Sequence, residues 1–322
     1  MKCIRSIVFA LSAVAFSTVE VAAQSWPTKP LKVIVPVGAG STTDIVPRAV
    51  FEQVAQQLGQ SIIIENRAGA GGTIGAATVA KAAPDGYTLL VHSSAHTISP
   101  AIYPNLSYHP ARDFAAVVSL GTSANVMVVA PASGYKTVAD VVAAAKAKPG
   151  AMNFSSVGIG SATQMSAERF RFSAGIEAVH IPFKGGAEAM FEVVAGRVDF
   201  FFGPVGIVMP NVKAGTLRAL VVNDTKRAAA LPDVPTTAEA GFANAEYPIW
   251  FGVFVPVQTP REIVDRLHQE ISKALREPKI VEKLAVLGVD PMSLGPKQFD
   301  ELIEKEIAIN AALVKAVGVK VE

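Results

Sequence analysis

Short apolar runs alternate along this chain with glycine-bearing loops and stretches of helical periodicity. Residues 31–35 (LKVIV) read as a first strand. The loop 36–40 (PVGAG) then leads into an amphipathic helix to Leu58, with Ile45, Val46, Ala49, Val50 and Val54 on its inward face. Ser41-Thr42-Thr43-Asp44 has the form of a capping box, and Pro47 falls within or just past the first turn, where a missing N–H costs little. Residues 61–90 repeat the scheme without a gap. A β-branched run at 62–64 is followed by a loop carrying Gly69, Gly71, Gly72 and Gly75, a small-residue helix through Val79 that Thr73 can cap, a turn, and a second strand. Two strand–loop–helix units in succession predict an α/β fold with a parallel sheet whose strand ends carry the ligand-facing loops.

The alternation continues. A strand at 88–91 leads to the polar turn His92-Ser93-Ser94-Ala95-His96, and an apolar strand follows at 126–130. Thr137 caps a helix ending at Pro149-Gly150, residues 152–155 form a strand, and Ser161-Ala162-Thr163-Gln164 is a second capping box opening a helix through Phe172. Strands at 179–181, 199–202 and 217–222 follow, with Gly185-Gly186 and residues 203–206 in loops, and helices begin at Thr259-Pro260 and at Pro296. No repeat, heptad run or low-complexity segment interrupts the pattern. The boundaries fall at the strands near 126–130 and 250–255, so residues 24–124 and 252–322 form one discontinuous lobe and residues 125–251 the other. Two crossings between lobes make a hinge, and a cleft between α/β lobes suits a small ligand.

The loop at 69–75 is built to expose backbone N–H groups at a helix N-terminus, which attracts anions. It is not a nucleotide motif: counting from Gly69, the sixth residue of a dinucleotide fingerprint is Ile74, and no Gly-Lys-Ser/Thr follows. Two readings stand side by side, close helix–strand packing and a cradle for a small anion.

Residues 1–23 have the layout of a secretory signal: Lys2 and Arg5, an apolar run over 7–16, and Val21-Ala22-Ala23 before Gln24. The expected mature chain is periplasmic and soluble, since the apolar run is shorter than the ~20 residues of a membrane span and no later segment is both long and uninterrupted. Cys3, the only cysteine, falls within the leader, which excludes disulfides, thiolate metal sites and cysteine nucleophiles from the exported protein. Without Lys2, Arg5 and Glu20 the charges are 27 basic against 26 acidic. That balance, with no basic block, gives no footing for nucleic acid.

Catalytic constellations are hard to assemble. His92 and His96 are four apart but lack the Glu of a zinc-binding helix, His180 reads as a satisfied core histidine, and His109 and His268 have no companions. Ser156 precedes Val157-Gly158, yet Phe154 stands where a nucleophile elbow needs glycine. Asp44 suits a cap and Asp199 a strand start. Lys184, after one strand and before a helix, is placed to pair with an anion or to stand in solvent. No metal or cofactor is implied.

Six segments taken together resemble the extracytoplasmic solute receptors of tripartite tricarboxylate transporters, the Bug-type receptors: IVPVGAGSTTDIVPRA, IIIENRAGAGGTIGAATVAKAAPDGYTLL, NFSSVGIGSATQMSAERF, HIPFKGG, AGRVDF and ALPDVPTTAEAGF. The resemblance spans nearly the whole mature chain in the family's order. It implies a two-lobed flytrap fold that closes on a small carboxylate, held mainly by backbone amides, hydroxyls and ordered water, and hands it to membrane permease subunits without chemistry. Carried over position by position, the site comprises Val37, Gly38, Ala39, Gly40, Ser41, Thr42 and Asp44 from the first loop, and Ser93, Ser94 and His96 after the strand at 88–91. The second lobe adds Ser161, Ala162, Gln164, Phe183, Lys184, Gly203 and Pro204. A monomer is expected. Two alternatives use the same cleft: an exported α/β enzyme, and a receptor that signals to a membrane sensor.

The chain departs from the family pattern at Val37, where an aromatic residue is frequent, at Ala39-Gly40, where two glycines are usual, and at Phe202-Gly203, where an acidic residue often follows. These departures imply a roomier, less polar site, open to an apolar or aromatic monocarboxylate.

Overall fold

The computed structural model describes residues 26–292 and 294–318. The signal-like segment 1–23, with Cys3, and the expected first mature residue Gln24 lie outside the described residues. The first lobe opens with β1 (Leu31–Val35), α1 (Thr42–Leu58), β2 (Ile62–Asn66), α2 (Thr73–Ala80) and β3 (Thr88–Ser93), and β1 pairs in parallel with β2 on one side and β3 on the other. After α3 (Ala95–Ile102) and β4 (Phe114–Ser123) the chain passes through the single residue Ala124 into the second lobe.

The second lobe contains β5 (Asn125–Val129), α4 (Val138–Ala147), β6 (Asn153–Ser156), α5 (Ala162–Ala174), β7 (Val179–Pro182), α6 (Gly186–Val194), β8 (Phe200–Pro204), α7 (Val205–Lys213) and β9 (Arg218–Asn223). The return adds β10 (Ile249–Pro256), α8 (Arg261–Leu275), α9 (Pro278–Val286), β11 (Val289–Asp290) and α10 (Pro296–Val317) to the first lobe. The sheet orders are β11-β4-β10-β3-β1-β2 and β7-β6-β8-β5-β9. Residues 249–251, assigned by sequence to the second lobe, belong to a strand of the first sheet.

Each sheet is parallel on one side and antiparallel on the other. β10 runs antiparallel to both β3 and β4, and β5 antiparallel to β8 and β9. The strand that leaves a lobe and the one that returns to it lie side by side, which requires opposite directions.

Both sheets are buried on two faces, with the period-two alternation of strands. In the first, Val33, Val35, Leu89 and Val91 pack with Val50, Leu267 and Ile271 of α1 and α8, while Ile34 and Leu90 face Val79 and Phe299 of α2 and α10. In the second, Phe200 and Phe202 pack with Phe170 of α5, and Phe201 faces Val193 and Val208 of α6 and α7.

Sequence reading missed β4 and α3. Residues 95–102 (AHTISPAI) carry Pro100 and alternate small polar with apolar side chains, so the helix looks like a turn. His92 and Ser93 extend β3 rather than forming a surface turn, and His92 and His96 are fully buried.

The caps also differ in detail. Thr137 forms the complete capping box of α4, and Ser161 Oγ accepts the Gln164 N–H. At α1, however, Ser41 Oγ donates to the Gly38 carbonyl, and Thr73 is the first residue of α2, donating to the Ala70 carbonyl. Both hydroxyls lie within reach of a carbonyl in the tight loop before them, which accepts their hydrogen bond. Pro47 lies inside α1, beyond its first turn.

Candidate functional site

Between the lobes lies a cavity of about 810 Å³. On the first-lobe side it is walled by the loop after β1, the glycine loop before α2, and Ser93, Tyr103, Ile249 and Phe251; on the other by the loops before α5 and α6, with Pro204 and Ile207. The lobes already meet across it, since Tyr103 Oη donates to the Ile159 carbonyl at 3.3 Å.

Two helices begin at this cavity, one from each lobe. Their caps have nearly the same extended backbone, φ −75° and ψ 160° at Ser41, φ −74° and ψ 155° at Ser161. The first N–H groups of each helix have no carbonyl within the helix to donate to. Thr42, Thr43, Ala162 and Thr163 therefore bring backbone donors and hydroxyls to the cavity wall. Lys184, exposed to solvent, is the one charged residue of that wall among the described residues. Its ammonium has no carboxylate within ion-pair distance among them, and its backbone N–H donates to Glu188 Oε2 at 3.3 Å.

Asp44 sits beneath the first loop. Its carboxylate accepts from the Gly40 N–H at 2.9 Å, Arg48 Nε at 2.9 Å and Asn66 Nδ2 at 2.8 Å. Burial alone would raise its pKa, but the hydrogen bonds from Arg48, Gly40 and Asn66 outweigh burial and hold it below the usual value. Its charge is thus spent on shaping the loop. Arg48 offsets the repulsion it would exert on an anion at the start of α1.

The sequence pattern of the tripartite tricarboxylate transporter family receptor matches residues 46–319. The chain belongs to this receptor family. The UPF0065 protein in the tcbD-tcbE intergenic region of Pseudomonas sp. (strain P51) is 36% identical over 306 residues, covering 94% of this chain and 91% of the relative. Among solved structures, R. palustris Rpa4515 with adipate is similar at 32% identity and a TM-score of 0.87, covering 92% of this chain and 100% of the other. MatC (Rpa3494) from Rhodopseudomonas palustris with bound malate is similar at 31% identity and a TM-score of 0.84, covering 90% and 100%.

In this receptor the cleft wall gathers Val37, Gly38, Ser41, Thr42, Ser93, Ser161, Ala162, Phe183, Lys184 and Pro204 from the residues singled out by sequence. Ala39, Gly40, Asp44, Ser94, His96, Gln164 and Gly203 lie outside it. The His96 ring is packed in the first-lobe core against Phe254, Phe114, His92 and Tyr108, at centroid distances of 4.8, 5.0, 5.3 and 6.1 Å. Gln164 is buried, its Oε1 accepting from the Gly160 N–H and its Nε2 3.2 Å from His180 Nδ1. A Cβ at Gly203 would run into Phe201 and Val208, so that position points into the second-lobe core.

Sequence reasoning left out Thr43, residues 68–72, Tyr103, Thr163, Ile207, Ile249 and Phe251, all of them in the wall. The glycine loop carried a usable signal, its anion-attracting form; Ile207, Ile249 and Phe251 carried none, because they read as ordinary core. Glycine also serves packing here, since a Cβ at Gly75, in the first turn of α2, would meet Pro36 at 2.8 Å. Ser156 Oγ and His180 Nε2 lie 2.6 Å apart, but neither is part of the wall and Ser156 is fully buried, so the pair offers no nucleophile to a ligand.

Proposed function

We propose that the receptor captures a small carboxylate in the periplasm, between its two lobes, and delivers it as a monomer to the membrane subunits of a tripartite tricarboxylate-type transporter. The observation that carries this reading is the convergence of two helix N-termini, one from each lobe, on one cavity with no acidic side chain in its described wall. Each terminus carries roughly half a positive charge, and donors split between lobes make binding depend on closure. The malate and adipate in the two similar R. palustris structures support the ligand class. The signal-like segment 1–23 supports export, and among the described residues no helix is long and apolar enough to cross a membrane.

A thermal-shift screen over carboxylates tests the reading. An acid at a hundred times its dissociation constant stabilises the folded state by ~2.7 kcal/mol. The acid should be recovered chemically unchanged, and light scattering should give the mass of one chain. A screen in which no carboxylate shifts the transition overturns the receptor reading; conversion of the acid would favour the enzyme alternative.

A further inference from the structure

We propose that His180 is a positioning residue of the carboxylate site, holding the second-lobe loop at residues 157–160 in its binding shape through both ring nitrogens. This rests on the carboxylate-receptor reading above.

His180, on β7, is not itself part of the cavity wall, but its two partners flank a stretch that is: Val157, Gly158 and Ile159 line the cavity just before α5. The imidazole stacks on Phe154 of β6 at a centroid distance of 5.1 Å and an interplanar angle of 25°. That stacking fixes the plane in which its nitrogens lie. Nε2 is 2.6 Å from Ser156 Oγ, and Nδ1 is 3.2 Å from Gln164 Nε2. Ser156 and Gln164 are both buried, and each grips a different end of the loop. Ser156 Oγ donates to the Gly158 carbonyl and accepts from the Gly158 N–H, both at 3.1 Å, while Gln164 Oε1 accepts from the Gly160 N–H at 2.8 Å.

One arrangement of protons satisfies all of these bonds. Gln164 Oε1 must face the Gly160 N–H, so the amide NH2 faces His180 and Nδ1 accepts. In the neutral ring the proton is then on Nε2. It donates to Ser156 Oγ and leaves that hydroxyl's own proton for the Gly158 carbonyl. Burial keeps the ring neutral, lowering its pKa from 6.5 to about 4. Glu168 and Arg171, one and two turns beyond Gln164 on α5, pair with each other at 2.7 Å.

The loop needs such ties. Gly158 and Gly160 have φ of +117° and +77°, and glycine has the most backbone freedom to lose on ordering. Tying the amides of both glycines to buried side chains leaves the loop one shape before any acid arrives. A wall formed in advance binds more tightly than one ordered at the moment of binding.

Nitrogen NMR, amide hydrogen exchange and isothermal titration test this. In the ligand-free exported protein at neutral pH, His180 should be the neutral Nε2–H tautomer and the Gly158 and Gly160 amides should exchange slowly. The acids titrated are malate, adipate, benzoate and whichever acid shifts the thermal transition most. His180→Phe keeps the stacking on Phe154 but loses both hydrogen bonds, so the two amides should exchange at least about tenfold faster and the acids bind about tenfold more weakly. His180→Gln, which offers one acceptor and one donor in a single plane, should recover most of both losses. An Nδ1–H or charged ring in the natural protein overturns the role, as does a folded His180→Phe, judged by circular dichroism, with unchanged affinity. Should His180→Phe not fold, Ser156→Ala cuts the Nε2 side of the network, and unchanged binding and Gly158 exchange in that variant overturn the role. Failure of every acid to bind the natural protein overturns the receptor reading, whereas binding that is equal in His180→Phe overturns only the role of His180.

Discussion

At Lys184 and His96, one residue faces the ligand cavity and the other, despite its polar side chain, faces the core. Lys184 stands in the cavity wall without a described carboxylate partner. In the closed complex a ligand carboxylate is its natural partner, so Lys184→Ala should cost about 1.5–3 kcal/mol of affinity, the range of a charge-assisted hydrogen bond. Isothermal titration with an unchanged dissociation constant would return recognition to the neutral donors. His92 and His96 behave differently. Burial lowers the pKa of His92 from 6.5 to about 3 and, with repulsion from His92 added, lowers that of His96 well below 6.5. Neither nitrogen of His96 makes a full hydrogen bond among the described residues, and the pull of the Pro110 backbone toward the charged form is outweighed by burial. Both imidazoles must stay neutral in the fold while the unfolded chain takes up protons. Stability is therefore full above the unfolded value near 6.5 and declines as pH falls toward the lowered folded values, by up to ~1.4 kcal/mol per pH unit for each histidine. His96→Phe should remove one such contribution, and urea unfolding between pH 7.5 and 4 should show the shallower acid limb.

The glycine loop before α2 acts as an element. Gly71 has φ +63°, and a Cβ there would lie 2.8 Å from the Ile159 carbonyl oxygen of the other lobe and 2.7 Å from Tyr103 Oη. The absent side chain lets the loops of two lobes touch. Gly71→Ala adds backbone strain and a contact with the movable Tyr103 hydroxyl in every state, and a clash with the Ile159 carbonyl only when the lobes are together, so it should weaken binding about tenfold by depleting the closed state to a similar degree. The melting temperature without ligand should change much less. Equal affinity in titration would show that the loops do not need this approach. The α1 loop reaches its shape by another route, through Asp44, Arg48 and Asn66.

Across the whole molecule, the lobes also touch where α7 passes the α9–β11 segment. A Cβ on Gly206 would stand 2.0 Å from the Leu287 carbonyl oxygen, and one on Gly288 would stand 3.0 Å from the Gly206 nitrogen. Backbone therefore rests on backbone at this crossing, next to Pro204 and Ile207 of the cavity wall. Gly206→Ala must displace one lobe from the other. The expected outcome is a larger radius of gyration of the ligand-saturated protein in small-angle scattering, together with weaker binding. If scattering and affinity both match the natural protein, the contact does not set the arrangement of the lobes.

Much of this architecture was written locally. The runs 31–35 and 62–64, the helix ending at Leu58 and the Thr137 capping box depend on side-chain period and short-range hydrogen bonds, which a sequence displays directly. The cavity-lining loops were legible for the same reason: a strand end followed by glycine, serine and a helix start is a local pattern. Tertiary structure alone decided which polar residues meet the ligand. His96 looks like a turn residue until Tyr108, Phe114 and Phe254, distant in sequence, close over it. Gly203 looks like a site residue until the alternation along β8 turns it toward Val208. Ile207, Ile249 and Phe251 look like core residues, because apolar side chains read alike in a core or a ligand cavity. The antiparallel placing of β10 also waited on the fold, since a strand's hydrophobic period records that it is buried and not which neighbour it pairs with or in which direction.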